Sequence, residues 1–231
     1  MIVEVRDLKF RYDDGTEALR GIDFSMAAGE TVAFFGANGS GKTTFALHLN
    51  GLLRGEGNIS VAGLQMADGN LQKIRQKVGL VLQDSDNQLF MPTVLEDVAF
   101  GPLAAGVEVN EAELRAKAAL ERVGMLHKSG KAPYHLSAGE KKRVAIAGIL
   151  ASDPELLILD EPTTFLDPPG QRSLHTLLAA LPQAKILITH DIPFAASLTD
   201  QAVFFDQGRI AAKGNLREIV QRFGWQALPT S

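Results

Sequence analysis

Residues 36–44 read GANGSGKTT, set between the apolar run TVAFF at 31–35 and FALHLNGLL at 45–53, whose apolar residues recur at helical spacing. Strand, glycine loop and helix follow one another, and that order decides the fold. The spacing G-x-x-x-x-G-K-[ST] builds a phosphate-binding loop. Its glycines let backbone N–H groups converge on a polyphosphate, its lysine reaches the β and γ phosphates, and the hydroxyl behind it can ligate Mg2+. With average residue usage, a chain of this length carries the pattern by chance roughly once in a hundred times, so chemistry at a triphosphate is the leading reading. Gly36, Asn38, Gly39, Ser40, Gly41, Lys42, Thr43 and Thr44 are the residues this reading assigns to the nucleotide.

Outward from the loop, the first thirty residues alternate in strand fashion: IVEVRDLKFRY at 2–12 and IDFSM at 22–26, with DDGTE between them as a turn signal. They predict an antiparallel edge layer. Beyond the loop come a strand in NISVAG (58–63), a short helix near Asn70–Gln76 and the apolar strand VGLVL (78–82). From Gln83 to Ser152 the pattern turns helical. Thr93-x-x-Glu96 and Asn110-x-x-Glu113 each look like an N-cap with glutamate three residues on. Alternation resumes with LLIL (156–159), a helix near Gly170–Leu181, KILIT (185–189), a helix from Ile192, QAVFF (201–205), and GRIAAKG (208–214) leading to a last helix. The tail beyond Trp225 is expected to be loosely ordered. The expected architecture is an α/β phosphate-loop fold: a RecA-like, mostly parallel sheet core, an N-terminal antiparallel β layer and an α-helical insertion. It forms a single domain, with 1–84 and 153–231 as the nucleotide-binding core and 85–152 as the helical subdomain.

Composition narrows the function. The chain has 231 residues, 45% of them hydrophobic, so a substantial core is available. Twenty-three Lys and Arg against 27 Asp and Glu leave a net charge of −4, which gives no reason to expect nucleic acid as partner. Lys141, Lys142 and Arg143 form too short a basic run to change this and read as a solvated helix face. No cysteine is present, so disulfides and thiolate metal sites are excluded. The histidines at 48, 127, 135, 175 and 190 share no metal-binding spacing, and zinc is not expected. MIVEVRDLKF lacks the features of a signal peptide, and the longest apolar runs, such as Val144–Ala151, are too short to span a bilayer. A soluble chain is expected, with any membrane role supplied through a partner.

One regularity outweighs any single motif. TVAFF, VGLVL, LLIL and KILIT, the kind of run expected of strands buried on both faces, end at Gly36, Gln83, Asp160–Glu161 and His190 respectively. In an open parallel sheet the carboxyl ends of the strands form the ligand edge, so these groups converge on one site. Asp160 is assigned to magnesium and Glu161 to the base that orients the attacking water. The Gln83 amide oxygen has the reach for the magnesium or that water, and His190 can donate to a γ-phosphate oxygen. Ser137-x-x-Glu140, in LSAGEK, is a capping box, and such a helix start also presents backbone N–H groups to a phosphate. Tyr12 ends the first strand where its ring can stack on an adenine. Asp167 in PTTFLDP can cap a helix.

Taken in order, GANGSGKTT, Gln83, LSAGEKKRVAIAGIL, LLILDEP, Asp167 and His190 resemble the ATP-binding cassette (ABC) ATPases over almost the whole chain. The resemblance implies ATP and Mg2+ as cofactors, with Thr43, Gln83 and Asp160 on the metal and Glu161, His190 and Gln83 in catalysis. Residues 36–44 become the Walker A loop, Gln83 the Q-loop, Ser137–Glu140 the signature, Asp167 part of the D-loop, His190 the switch histidine and Tyr12 the adenine-stacking ring. It further implies that Ser137, Gly139 and Glu140 meet the nucleotide of an opposite subunit, in a homodimer or a heterodimer with a paralogous ATPase. More narrowly, residues 78–103 and 136–150 look like ATPases of energy-coupling factor (ECF) transporters and cobalt or nickel importers. Those work at the cytoplasmic face of the membrane with a membrane-spanning coupling subunit and a substrate-capture subunit, and Asp84–Met91 would line the groove for the former. Biotin or another vitamin is the alternative cargo, and a soluble ABC protein acting on DNA or ribosomes the alternative class. The pattern is broken by Ala138 in place of a second glycine and by Thr164-Phe165 in place of a small pair.

Overall fold

The computed structural model describes residues 1–83 and 88–225. Its described strands form two sheets. Four strands, β1 (Val3–Arg11), β2 (Glu17–Met26), β4 (Glu56–Val61) and β5 (Leu64–Gln65), make an antiparallel sheet in the order β2-β1-β4-β5. Six more, β3 (Thr31–Phe35), β6 (Val78–Val81), β7 (Leu156–Asp160), β8 (Ala184–Ile188), β9 (Gln201–Asp206) and β10 (Arg209–Asn215), make a second sheet in the order β10-β9-β3-β8-β7-β6. Pairing within the second sheet is parallel from β9 across to β6, and only β10 runs antiparallel, on β9. The N-terminal layer is therefore a separate sheet, and the strand read from NISVAG belongs to it, paired antiparallel with β1. Its alternating burial leaves one face wet, which a strand inside the parallel sheet does not show.

Alternation along β3 explains why TVAFF reads as continuously apolar. Val32 and Phe34 face the antiparallel sheet and helix α1 (Lys42–Leu49), while Ala33 and Phe35 face helix α8 (Leu216–Arg222). On the first side Phe34, Phe45 and Phe205 are fully buried, with Phe24 against them, and ring centroids lie 5.1–5.8 Å apart. This cluster clamps α1 between the two sheets.

Across the opposite face of the parallel sheet, Leu157, Leu159 and Leu187 pack under helices α3 (Val94–Ala104), α4 (Val109–Arg122), α5 (Ala138–Leu150), α6 (Pro168–Ala180) and α7 (Ile192–Leu198). Thr93 and Glu96 close a capping box on α3, and Ser137 and Glu140 close another on α5. Helix α4 corrects the reading of Asn110: its N-cap is Glu108, whose carboxylate accepts the amides of Asn110 and Glu111 at 2.9 and 3.3 Å. A glutamate can reach those orphan amides, so the helix starts one residue before Asn110. Helix α2 (Leu71–Lys77) sits within a residue of expectation. The proposed groove at Asp84–Met91 falls partly, and the tail beyond Trp225 wholly, outside the described residues.

Lys142 is a second correction. It is buried, not on a solvated face, because it precedes the buried Ala145 and Ile146 by three and four residues on the inner side of α5. The fold predicts that Phe45→Ala, which opens a cavity beneath α1, lowers stability by about 3–5 kcal/mol in denaturant unfolding. A loss below about 1 kcal/mol would contradict the clamp.

Candidate functional site

The phosphate loop runs from the end of β3 into α1, and two of its glycines are sterically required. At Gly36 (φ 137°) a Cβ would lie 2.2 Å from the Phe205 carbonyl oxygen, and at Gly41 (φ 105°) it would lie 2.8 Å from that of Ala18. The first turn of α1 carries no acidic residue, and its N-cap Gly41 offers no side chain. The orphan N–H groups of that turn stay open to an anion, at the positive end of the helix dipole. Lys42 is buried, and in this state its ammonium donates to the carbonyls of Gly36 (2.7 Å) and Ala37 (2.9 Å) and to Ser40 Oγ (3.3 Å). Burial pulls its pKa down, while Asp160 and Glu161 pull it up.

The sheet edge gathers the remaining groups as expected. Thr43 Oγ1 donates to Asp160 Oδ2 at 2.8 Å. Asp160 is 6% exposed, and burial raises its pKa against the hydrogen bond from Thr43 and the charge of Lys42. Glu161 takes a left-handed backbone (φ 45°), held by its N–H bonding to the Ile188 carbonyl at 2.8 Å. For a glutamate that conformation costs on the order of 1 kcal/mol, and it turns the carboxylate off the strand end toward β8. There it accepts from Thr189 Oγ1 and the His190 N–H, both at 3.4 Å, and lies 3.4 Å from His190 Nε2. Desolvation raises its pKa, while His190 opposes the shift. His190 Nε2 is 3.1 Å from Asn38 Oδ1, which ties the end of β8 to the loop.

A cavity of about 260 Å³ is lined by Tyr12, Asn38, Gly39, Gly41, Lys42, Thr43, Thr44, Gln83, Asp160, Glu161 and His190. The groups read from four strand ends and from the end of β1 thus share one cavity. Tyr12 stands at its lip, its hydroxyl 3.0 Å from Thr44 Oγ1 and its ring edge-on to Phe10. Thr16, Glu17, Ala18 and Ile188 complete the wall. Ile188 belongs to the run KILIT, already read as ending at the site, whereas nothing marked Thr16, Glu17 and Ala18, since the turn 13–17 reads only as polar.

Ser137, Gly139 and Glu140 lie elsewhere. They line a second cavity of about 450 Å³ with Phe165, Leu166 and Asp167. Asp167 caps α6, accepting the Gly170 N–H at 2.9 Å. Phe165 holds φ 66° and is 77% exposed. Sequence reasoning also missed what Lys142 touches: its ammonium donates to the carbonyls of Leu82 (3.2 Å) and Gln83 (2.8 Å), joining α5 to the segment that carries Gln83. Its place on the buried side of α5 was the available signal. Asp97 was missed as well. Its carboxylate accepts the N–H groups of Phe90 (2.8 Å) and Met91 (2.7 Å).

Fold and site together define a phosphate-loop ATPase with a helical insertion between the strand that leads to Gln83 and the strand that carries its carboxylates. The family model for ABC transporters matches residues 19–164. An ABC transporter ATP-binding protein of Streptomyces avermitilis is 48% identical over 94% of this chain and 84% of its own. An energy-coupling factor transporter ATP-binding protein, EcfA, of Methanothermobacter thermautotrophicus is 46% identical over 94% and 72%. Among solved structures, cbiO1 of Clostridium perfringens, part of the ABC transporter complex cbiONQ, superposes with a TM-score of 0.84 at 38% identity, over 96% of this chain and 91% of that one. A dimeric ATP-binding cassette in a post-hydrolysis state with ADP and Pi gives a TM-score of 0.84 at 27% identity, over 93% and 99%. The chain belongs to the ABC transporter family, as an ATP-binding and ATP-hydrolysing subunit. Among the described residues no helix is long and apolar enough to cross a membrane.

Glu140 gives the site a pH signature. Lys128 bonds its carboxylate and the Ser137 N–H donates to it, which holds its pKa down at about 2 from an ordinary 4.5. The folded value lies below the free one, so the stabilisation is complete above pH 4.5 and is lost as the pH falls toward 2. Thermal unfolding of wild type should therefore lose Tm more steeply over that interval than Glu140→Gln. Parallel curves would remove Glu140 from the acid transition.

Proposed function

We propose that the chain is the motor subunit of an ECF-type importer, working as a dimer on the cytoplasmic face of a membrane. The observation that carries the dimer is the separation of the two cavities. The phosphate loop, Asp160 and Glu161 line one, while the capped start of α5 lines the other. A chain so built cannot cover its own triphosphate with its own signature residues; a second copy or a paralogue facing it can. In that arrangement Ser137, Gly139 and Glu140 of each chain would close over the γ-phosphate held by the other.

Within one half-site, the open amides of α1 and the Lys42 ammonium, released from its loop carbonyls, would take the β and γ phosphates. Tyr12 would stack on the adenine. Thr43, Asp160 and Gln83 supply a hydroxyl, a carboxylate and an amide oxygen, an all-oxygen set of the kind a hard cation prefers. Asp160 is buried beside the Thr43 hydroxyl, and desolvation raises its pKa, which supports that reading. A magnesium ion held there would neutralise charge on the β and γ phosphates. Glu161, desolvated and so more basic than a surface carboxylate, would accept the proton of the attacking water, and His190 would donate to a γ-phosphate oxygen.

The helical subdomain, residues 85–152, would meet the membrane-spanning coupling subunit. Phe90 and Phe100 are 64% and 43% exposed and pack edge-to-face at 5.1 Å, with Leu103 also exposed on α3. Asp97 pins the backbone of Phe90 and Met91 on this side. A pinned apolar surface of this kind suits a partner helix. The names of EcfA and of the cbiONQ complex support the ECF-type reading. The cargo we propose is a cobalt or nickel ion, captured by a further subunit, on the resemblance of residues 78–103 and 136–150 to such importers.

Glu161→Gln should reduce ATP turnover by about 10²-fold or more while leaving ATP affinity within roughly twofold, because only the chemical step loses its base. The variant should also accumulate as a nucleotide-locked dimer in size-exclusion chromatography. Turnover equal to wild type would refute the assignment. In detergent extracts the tagged chain should co-purify with a polytopic membrane protein, and Phe90→Asp should release it. Recovery with ribosomes or DNA in place of that protein would overturn the transport reading.

A further inference from the structure

The single tryptophan of the chain lies beyond α8, remote in sequence from every motif of the site, yet its ring meets one of them. Trp225 donates its backbone N–H to the Val220 carbonyl at 2.9 Å, which closes the end of α8. Its indole is edge-on to Phe204 of β9 at 5.4 Å, and Phe204 is in turn stacked on Phe223 at 3.9 Å with the rings 7° from parallel. The indole is thus seated in the small core of β9 and α8. Its other neighbour is the imidazole of His190, 5.8 Å away between centroids and 30° from parallel.

His190 itself is poorly supported by its own segment. It leaves the end of β8, its side chain is 42% exposed, and its polar contacts, Asn38 Oδ1 and Glu161 Oε1, both approach Nε2. Two contacts at one ring atom fix where that atom points but leave the ring free to roll about it. A flat apolar surface against the ring removes that freedom.

We infer that Trp225 is a positioning residue for His190: its indole sets the plane of the imidazole, so that Nε2 faces the nucleotide cavity. The inference rests on the reading of His190 as the γ-phosphate contact. It also makes the end of α8 part of the catalytic apparatus, since anything that moves this end moves the histidine. Trp225 touches neither substrate nor metal in this scheme and acts through the ring alone.

Two measurements test it on the purified full chain. In steady-state ATP hydrolysis, Trp225→Ala should lower kcat about tenfold with KM for ATP within about twofold, and Trp225→Phe should restore most of the loss, because a second flat ring can serve. Wild-type kcat in Trp225→Ala would overturn the proposal, as would a Trp225→Phe variant no better than the alanine. In the second measurement the indole is its own reporter, since no other tryptophan contributes emission. Emission should differ between wild type and His190→Ala, and its response to MgATP should disappear in that variant. Identical spectra with an undiminished response would sink the contact. A wild-type chain without turnover would count against the reading of the site instead, and the emission comparison would still decide the role of Trp225.

Discussion

The site depends on a junction of main chain. The hairpin turn at Gln207–Gly208, both residues with positive φ, donates the Gly208 N–H to the Ser40 carbonyl at 3.0 Å and accepts the Arg20 N–H at 2.8 Å. Phosphate loop, antiparallel sheet and parallel sheet are thereby fastened at one point, and Gly36, Gly41 and Gly208 each lie where a Cβ would meet a backbone carbonyl within 3 Å. Because other segments hold the loop from outside, its inner amides need no partner of their own. Their freedom at the head of α1 creates the anion site. Had the loop been held by side-chain caps, as α3 and α5 are, the same amides would already be satisfied.

Charge tells a parallel story. Lys42, Asp160 and Glu161 are all shifted by burial toward their neutral forms; the two carboxylates oppose the shift of Lys42, Thr43 and Lys42 oppose that of Asp160, and His190 opposes that of Glu161, which the charge of Asp160 pushes further up. Burying such groups without full compensation is costly to the fold. The strained φ of Glu161 adds to that cost. Local consistency is broken where the chemistry requires it, and the phenylalanine cluster beneath α1 carries the stability that permits this.

Much of this was legible in the sequence because strand ends are legible. Apolar runs buried on both faces stop abruptly, and the residue at the stop lies at the ligand edge; Gly36, Gln83, Asp160, Glu161 and His190 were all found that way, and all line one cavity or the loop beneath it. What stayed hidden was of two kinds. The sheet to which β4 belongs is set by long-range pairing with β1, for which a six-residue segment carries no signal. Lys142, Asp97 and Trp225 meet partners 59, 6 or 7, and 35 positions away, and of the three only Lys142 is read at all from the sequence, as part of a solvated helix face. Helical phase alone would have put Lys142 inside, next to Ala145 and Ile146.

Those hidden residues bear on how the two cavities are related. Lys142, rooted in α5, holds the carbonyls of Leu82 and Gln83; Asp97, rooted in α3, holds the amides of Phe90 and Met91. Helices α3 and α5 share one core through Val94, Val98, Val144 and Ala147, so both tethers belong to the same packed layer. Through Lys142 that layer holds the main chain at Gln83, on the wall of the nucleotide cavity, and it also carries the capped start of α5. The exposed Phe90–Phe100 pair lies on the same body. That pair, Gln83 and Ser137 are thereby linked through one packed layer and two buried polar side chains, Asp97 and Lys142.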